Sequence, residues 1–102
     1  MELSIRAIEI SPTPALAGHV QDRLEAALNQ YGQRVGRVVV QLRDINGPRG
    51  GADKCCQLKV DLPGAGSVLV KQTGEDLYAA VSHAADRVKV AVGRKLSRRR
   101  GD

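Results

Sequence analysis

Apolar and polar positions divide the chain into short stretches of contrasting period. Residues 2–10 read as a strand, with Leu3 and Ile5 on one side and Ser4 and Arg6 on the other. Ile8 and Ile10 shift the phase, so a bend or bulge is expected near Ala7. Ser11-Pro12-Thr13-Pro14 breaks the strand; Thr13 suits a helix N-cap and Pro14 the first helical position. Leu16, Val20, Leu24, Leu28 and Tyr31 then recur at helical spacing, which predicts a helix to about Tyr31 that stops at Gly32.

Residues 37–44 alternate again, Val38, Val40 and Leu42 against Arg37, Gln41 and Arg43, with Val39 as the exception. Asn46 to Gly51 has the composition of a loop. In residues 54–62, Cys56, Leu58, Val60 and Leu62 oppose Cys55, Gln57, Lys59 and Asp61. Pro63-Gly64-Ala65-Gly66 turns the chain into a fourth strand, 67–72, where Val68 and Val70 oppose Leu69 and Lys71. Thr73 reads as a second N-cap, with Asp76 as the acidic half of a capping box. A last helix is expected from Gly74 to about Ser97, burying Leu77, Val81, Ala84, Val88 and Val92. The order β-α-β-β-β-α, with one apolar face per element, predicts an α+β fold: a four-stranded sheet with two helices packed on one face. The expected organisation is a single domain over 1–97 and a basic C-terminal tail over 98–102.

A chain of 102 residues buries a core without staples. Tyr31 and Tyr78 are its only aromatics, so that core must be aliphatic. Adjacent Cys55 and Cys56 point to opposite faces of a strand and cannot bridge each other, which favours a reducing cytosol over a secreted scaffold. Cys56 belongs on the apolar side and Cys55 is expected to be more exposed. No signal pattern opens the chain and no apolar run is long enough for a membrane span, so a cytoplasmic location is expected.

The net charge of +5 is unevenly placed: Arg87, Lys89, Arg94, Lys95, Arg98, Arg99 and Arg100 follow one another with no acid between them. Such a cluster attracts polyanions. Cations in a last helical turn also favour the helix dipole, which is sufficient reason for Lys95 and Arg98 but not for Arg99 and Arg100. At 100° per residue, His83, Arg87 and Arg94 lie on one flank of the buried stripe and Lys89 on the other. Arg37, Arg43, Lys59 and Lys71 add charge to the open sheet face.

Other motifs fail on context. Gly47-Pro48-Arg49-Gly50 matches the KH loop but joins strands instead of helices. Gly64-Ala65-Gly66-Ser67 feeds a strand and lacks the lysine and helix of a phosphate loop. Cys55, Cys56, His19 and His83 lack zinc-site spacing, and neither a Cys–His couple nor paired carboxylates suggest an enzyme. A sheet without aromatics cannot stack bases as an RRM does, which leaves phosphate and shape recognition of structured RNA.

Thr13-Pro14-Ala15-Leu16 and His19-Val20-Gln21-Asp22-Arg23-Leu24 resemble the first helix of the ribosome-associated inhibitor A and hibernation-promoting factor family. Glu75-Asp76-Leu77-Tyr78-Ala79-Ala80-Val81 resembles that family's signature at the start of its last helix, and Asp53-Lys54-Cys55 is similar to some members. The resemblance spans nearly the whole chain. It implies a cofactor-free, non-enzymatic factor that binds the small ribosomal subunit and its rRNA in the mRNA and tRNA channel. There it would block translation and preserve idle ribosomes in stationary phase or stress. Whole 70S or paired 100S ribosomes are further contexts, and the free chain is expected to be a monomer.

Arg23, Arg87 and Arg94 fall on positions that are typically basic in the family; Lys89, Lys95, Arg98, Arg99 and Arg100 complete the expected RNA-binding set. Tyr78 is expected to pack beside the last helix rather than reach RNA, and His19 and His83 to be surface residues. Ala26 stands where close relatives carry lysine, and Val90 where some carry arginine. The short form is the nearer match, lacking the long form's dimerisation domain and the inhibitor type's acidic tail, so direct linking of two ribosomes is not expected. A regulator of another structured RNA or of a transcription component is the competing reading.

Overall fold

A computed structural model describes residues 1–8, 10–44 and 54–100, with side chains through Ser97. The strands are β1 (Glu2–Ile8), β2 (Arg37–Asp44), β3 (Lys54–Leu62) and β4 (Gly66–Gly74); the helices are α1 (Pro14–Leu28) and α2 (Leu77–Arg100). The sheet order is β1-β2-β3-β4. The crossover through α1 makes β1 parallel to β2, while β3 and β4 pair antiparallel to their neighbours. This is the expected α+β architecture. The loop expected from Asn46 to Gly51, with its KH-like segment, and Asp53 lie outside the described residues.

The register aligns one apolar face across all four strands. Leu3, Ile5 and Ala7 neighbour Val38, Val40 and Leu42; these pair with Val60, Leu58 and Cys56, and then Val68, Val70 and Gln72 follow on β4. Onto this face pack Leu16, Val20, Leu24 and Leu28 of α1 and Ala80, Val81, Ala84, Ala85, Val88, Val92 and Leu96 of α2. The core is aliphatic, as the composition requires.

Several local expectations are corrected. β1 has no bulge: the register runs unbroken through Ala7↔Leu42 and Ile8↔Arg43, so Ile8 lies on the open face. Ile10, beyond the strand, packs against the core. Thr13 caps α1 as expected, its Oγ1 accepting from the Leu16 N–H at 3.1 Å. However, α1 ends at Leu28 rather than Tyr31, and a 3₁₀ segment over Asn29–Arg34 follows. Gly32, at φ 55°, supplies the left-handed residue there.

Thr73 is not the second cap. β4 stays paired up to Gly74, opposite Lys54, so Thr73 is held within the ladder. Asp76 caps α2 instead, its Oδ1 accepting from Tyr78 N–H at 3.0 Å and its carbonyl from Ala80 N–H at 2.9 Å. The helix therefore starts at Leu77 and its backbone continues to Arg100, beyond the expected stop near Ser97. Cys55 is buried, not exposed, although it lies on the face away from the helices; Arg43 and Thr73 are its cross-strand neighbours.

Leu77, at the start of α2, is only partly buried, whereas Leu24 is fully buried. Leu24→Ala should lower unfolding free energy by about 2–5 kcal/mol. Leu77→Ala should cost clearly less, because a side chain at the rim of the core leaves little enclosed cavity. Urea unfolding midpoints of both variants check the ranking; equal losses would contradict it.

Candidate nucleic-acid interface

Helix α2 carries Arg87, Lys89, Arg94, Lys95, Arg98, Arg99 and Arg100 against one acid, Asp86. Its buried stripe fixes how that charge is displayed. Burying Val81, Ala84, Val88 and Val92 leaves His83, Asp86, Arg87, Val90 and Arg94 exposed along the outer ridge.

One flank of α2 is locked to α1. His19 Nε2 lies 3.0 Å from the Tyr78 carbonyl and 3.1 Å from Ser82 Oγ. A carbonyl only accepts, so Nε2 carries the proton in that contact. The His19 and Tyr78 rings are tilted, with centroids 5.0 Å apart. His19 is thus a joint between the helices and not a free surface residue; the ring of Tyr78 lies against it and remains 40% exposed. Further along, Arg23 Nη2 and Asp86 Oδ1 are 3.8 Å apart and largely exposed, a pair worth at most about 1 kcal/mol. At the far end, Tyr31 donates its hydroxyl to the Lys89 carbonyl at 3.0 Å. Gly93 leaves room for it: a Cβ there would lie 2.7 Å from the Tyr31 hydroxyl oxygen.

The other flank is tied to the sheet. Arg87 Nη1 donates to the Lys71 carbonyl at 2.7 Å and to Gln72 Oε1 at 3.0 Å. β4 is an edge strand, so Arg87 protects a sheet edge as well as carrying charge. The Lys95 side chain reaches over Gly66, where its Nζ would lie 3.6 Å from an added Cβ. Lys89 and Arg94 are the exposed members whose side chains make neither an ion pair nor a hydrogen bond among the described residues. With Tyr31, Val90, Gly93 and Ser97 they line a shallow depression of about 590 Å³. Lys89 and Arg94 flank the buried stripe on opposite sides, and round the solvent side of the helix they meet. The side chains of Arg98, Arg99 and Arg100 lie outside the described residues.

α1 adds little positive charge. Arg23 is its only basic residue apart from His19, and Asp22 and Glu25 oppose it. Those two acids line a depression of about 780 Å³ with Ala26 and Asn29, a site ill-suited to phosphate. The interface is therefore concentrated on α2.

The chain matches the family model described as sigma 54 modulation protein / S30EA ribosomal protein over residues 3–100. It belongs to that family. Among solved structures, the N-terminal domain of Protein Y from Thermus thermophilus is 28% identical, at TM-score 0.74, over 92% of this chain and 98% of that one. A ribosomal subunit interface protein from Coxiella burnetii shares the fold at 16% identity and TM-score 0.76, over 95% of this chain and 99% of the other. No curated protein matches the chain. Membership of the S30EA family associates the chain with the ribosome and places it among ribosome-associated factors rather than enzymes.

Among the described residues no group of His, Cys, Asp or Glu could hold a metal ion, and no helix is long and apolar enough to cross a membrane. Burial pushes the Cys56 thiol up from 9.0 to about 12, with Cys55 beside it adding to the rise. A thiol held neutral at ordinary pH is a poor nucleophile. Its folded value is raised, so its contribution to stability is complete below the unfolded value of 9.0 and is lost as pH climbs towards about 12. Denaturant titrations across that window should show falling stability. Cys56→Ala, less stable overall, should fall less steeply; parallel curves would contradict the assignment.

Proposed function

We propose that this S30EA-family chain is a ribosome hibernation factor. It binds the small ribosomal subunit in the mRNA and tRNA channel, blocks translation and preserves idle ribosomes under stress or in stationary phase. It works in the cytoplasm and is a monomer when free. The observation that carries this reading is α2: a helix fastened on both flanks that from Arg87 onward carries seven basic residues and no acid. Phosphates of a folded RNA are the natural complement of such a ridge, and binding them releases counterions.

The RNA-binding set divides by role. Lys89 and Arg94 reach phosphates directly, from the rims of one depression. Arg98, Arg99 and Arg100 extend the ridge. Arg87 and Lys95 contribute charge while bracing the helix on β4, and Arg23 contributes through the seam with Asp86.

The test is cosedimentation with purified small subunits. Lys89→Glu with Arg94→Glu should weaken binding by well over tenfold while leaving thermal stability unchanged. Arg87→Glu should reduce both, since it also releases the Lys71 carbonyl. Wild-type binding should fall steeply with salt, and removing residues 98–102 should flatten that slope by about 0.7–0.9 for each phosphate no longer neutralised. Full affinity in the folded double variant would overturn the reading. A preference for another structured RNA over the subunit would favour a regulator instead.

A further inference from the structure

Among the described residues no helix covers the sheet's open face, and its chemistry is as uneven as that of α2. Each strand places one basic side chain there that has no ion-pair partner among the described residues: Arg6, Arg43, Lys59 and Lys71. All four are exposed. A fifth, Arg37, is neutralised by Glu2 at 3.1 Å, and Asp61 is the remaining acid on this face among the described residues.

The register arranges part of this face as a row across the whole sheet. Arg6 neighbours Gln41, Gln41 pairs with Gln57, and Gln57 pairs with Lys71. A cation stands on each edge strand and two side-chain amides lie between them. Three inter-strand spacings put the end positions about 14 Å apart. One phosphate cannot reach both, whereas the two backbones bordering a wide, shallow groove can. The central amides both donate and accept, which is what a 2′-hydroxyl requires.

Two alternatives fit this face less well. Single-stranded RNA needs aromatic platforms, and Tyr31 and Tyr78 both lie on the helix side. A protein partner needs a desolvated apolar centre. Here Gln41 and Gln57 separate Val39 from the buried Cys55 on the central strands, and the most exposed apolar side chain, Leu69, is 63% exposed on the edge strand.

We infer that the open sheet face is a second RNA-binding surface, taking the minor groove of an RNA double helix, with Arg6, Arg43, Lys59 and Lys71 on its phosphates and Gln41 and Gln57 on its 2′-hydroxyls. The domain then contacts RNA on two opposite faces, through α2 and through the sheet. The inference rests on the proposed ribosome role only for the source of the helix.

Two variants of the full chain test it: Lys59→Gln/Lys71→Gln, and Gln41→Ala/Gln57→Ala. Each is measured against a short RNA duplex, the matching DNA duplex and purified small subunits, with thermal unfolding as the check on folding. The lysine pair should bind the RNA duplex at least tenfold more weakly, with a salt slope shallower by about 1.4–1.8, the amount expected for two phosphates. The glutamine pair should keep its salt slope and lose the preference for RNA over DNA. Wild-type affinity and slope in the folded lysine variant would overturn the inference. So would weaker subunit binding with duplex binding unchanged, which would assign the face to a ribosomal protein. Failure of the wild type to bind subunits, with its duplex binding intact, would remove the ribosome role and leave this surface standing.

Discussion

Helix α2 buries Val81, Ala84, Val88 and Val92 against the sheet, and this packing governs the rest of the domain. The core has no aromatic ring to fill space, so closure depends on many small aliphatic side chains meeting at close range. A long helix seated that way has one dry stripe and two flanks, and its remaining side chains are necessarily on show. The basic residues of α2 thus become a surface feature through the packing of their apolar neighbours.

Both flanks of α2 are fastened by polar contacts that exploit the same closeness. His19 and Tyr31 reach across from the α1 side to backbone carbonyls of α2, and Arg87 reaches from α2 to a carbonyl of β4. Each contact satisfies a backbone or side-chain group that water would otherwise compete for. A helix fastened on both flanks fixes the backbone from which its charges project, so binding a partner need not order the helix itself. Gly93 shows how narrow the tolerance is, since its missing side chain is the space the Tyr31 hydroxyl occupies.

Charge is distributed by face. α1 offers Asp22 and Glu25 beside a single arginine, whereas α2 is basic. Among the described residues, the open sheet carries one cation without an ion-pair partner on each strand. A partner made of phosphates is repelled from the α1 flank and drawn to the others. Membership of the S30EA family gives this distribution a setting on the ribosome.

Element order, the apolar face of each strand and the basic character of the last helix were legible in the sequence, because alternation and helical period are set by local geometry. The Asp-Leu-Tyr-Ala-Ala segment pointed to the family by resemblance. Tertiary structure decided what local period cannot encode. Thr73 has the chemistry of a cap, yet strand pairing with β3 retains it and passes the role to Asp76. Tyr31 continues the helical spacing of α1, yet the chain turns at Leu28 and the ring docks on α2 from a 3₁₀ segment. Cys55 alternates as a solvent residue but is covered by its strand neighbours, and Arg87 looks like any surface arginine until β4 is seen beneath it. Each of these outcomes depends on a partner distant in the chain, and a sequence read along its length carries period and charge but not which of its groups will meet.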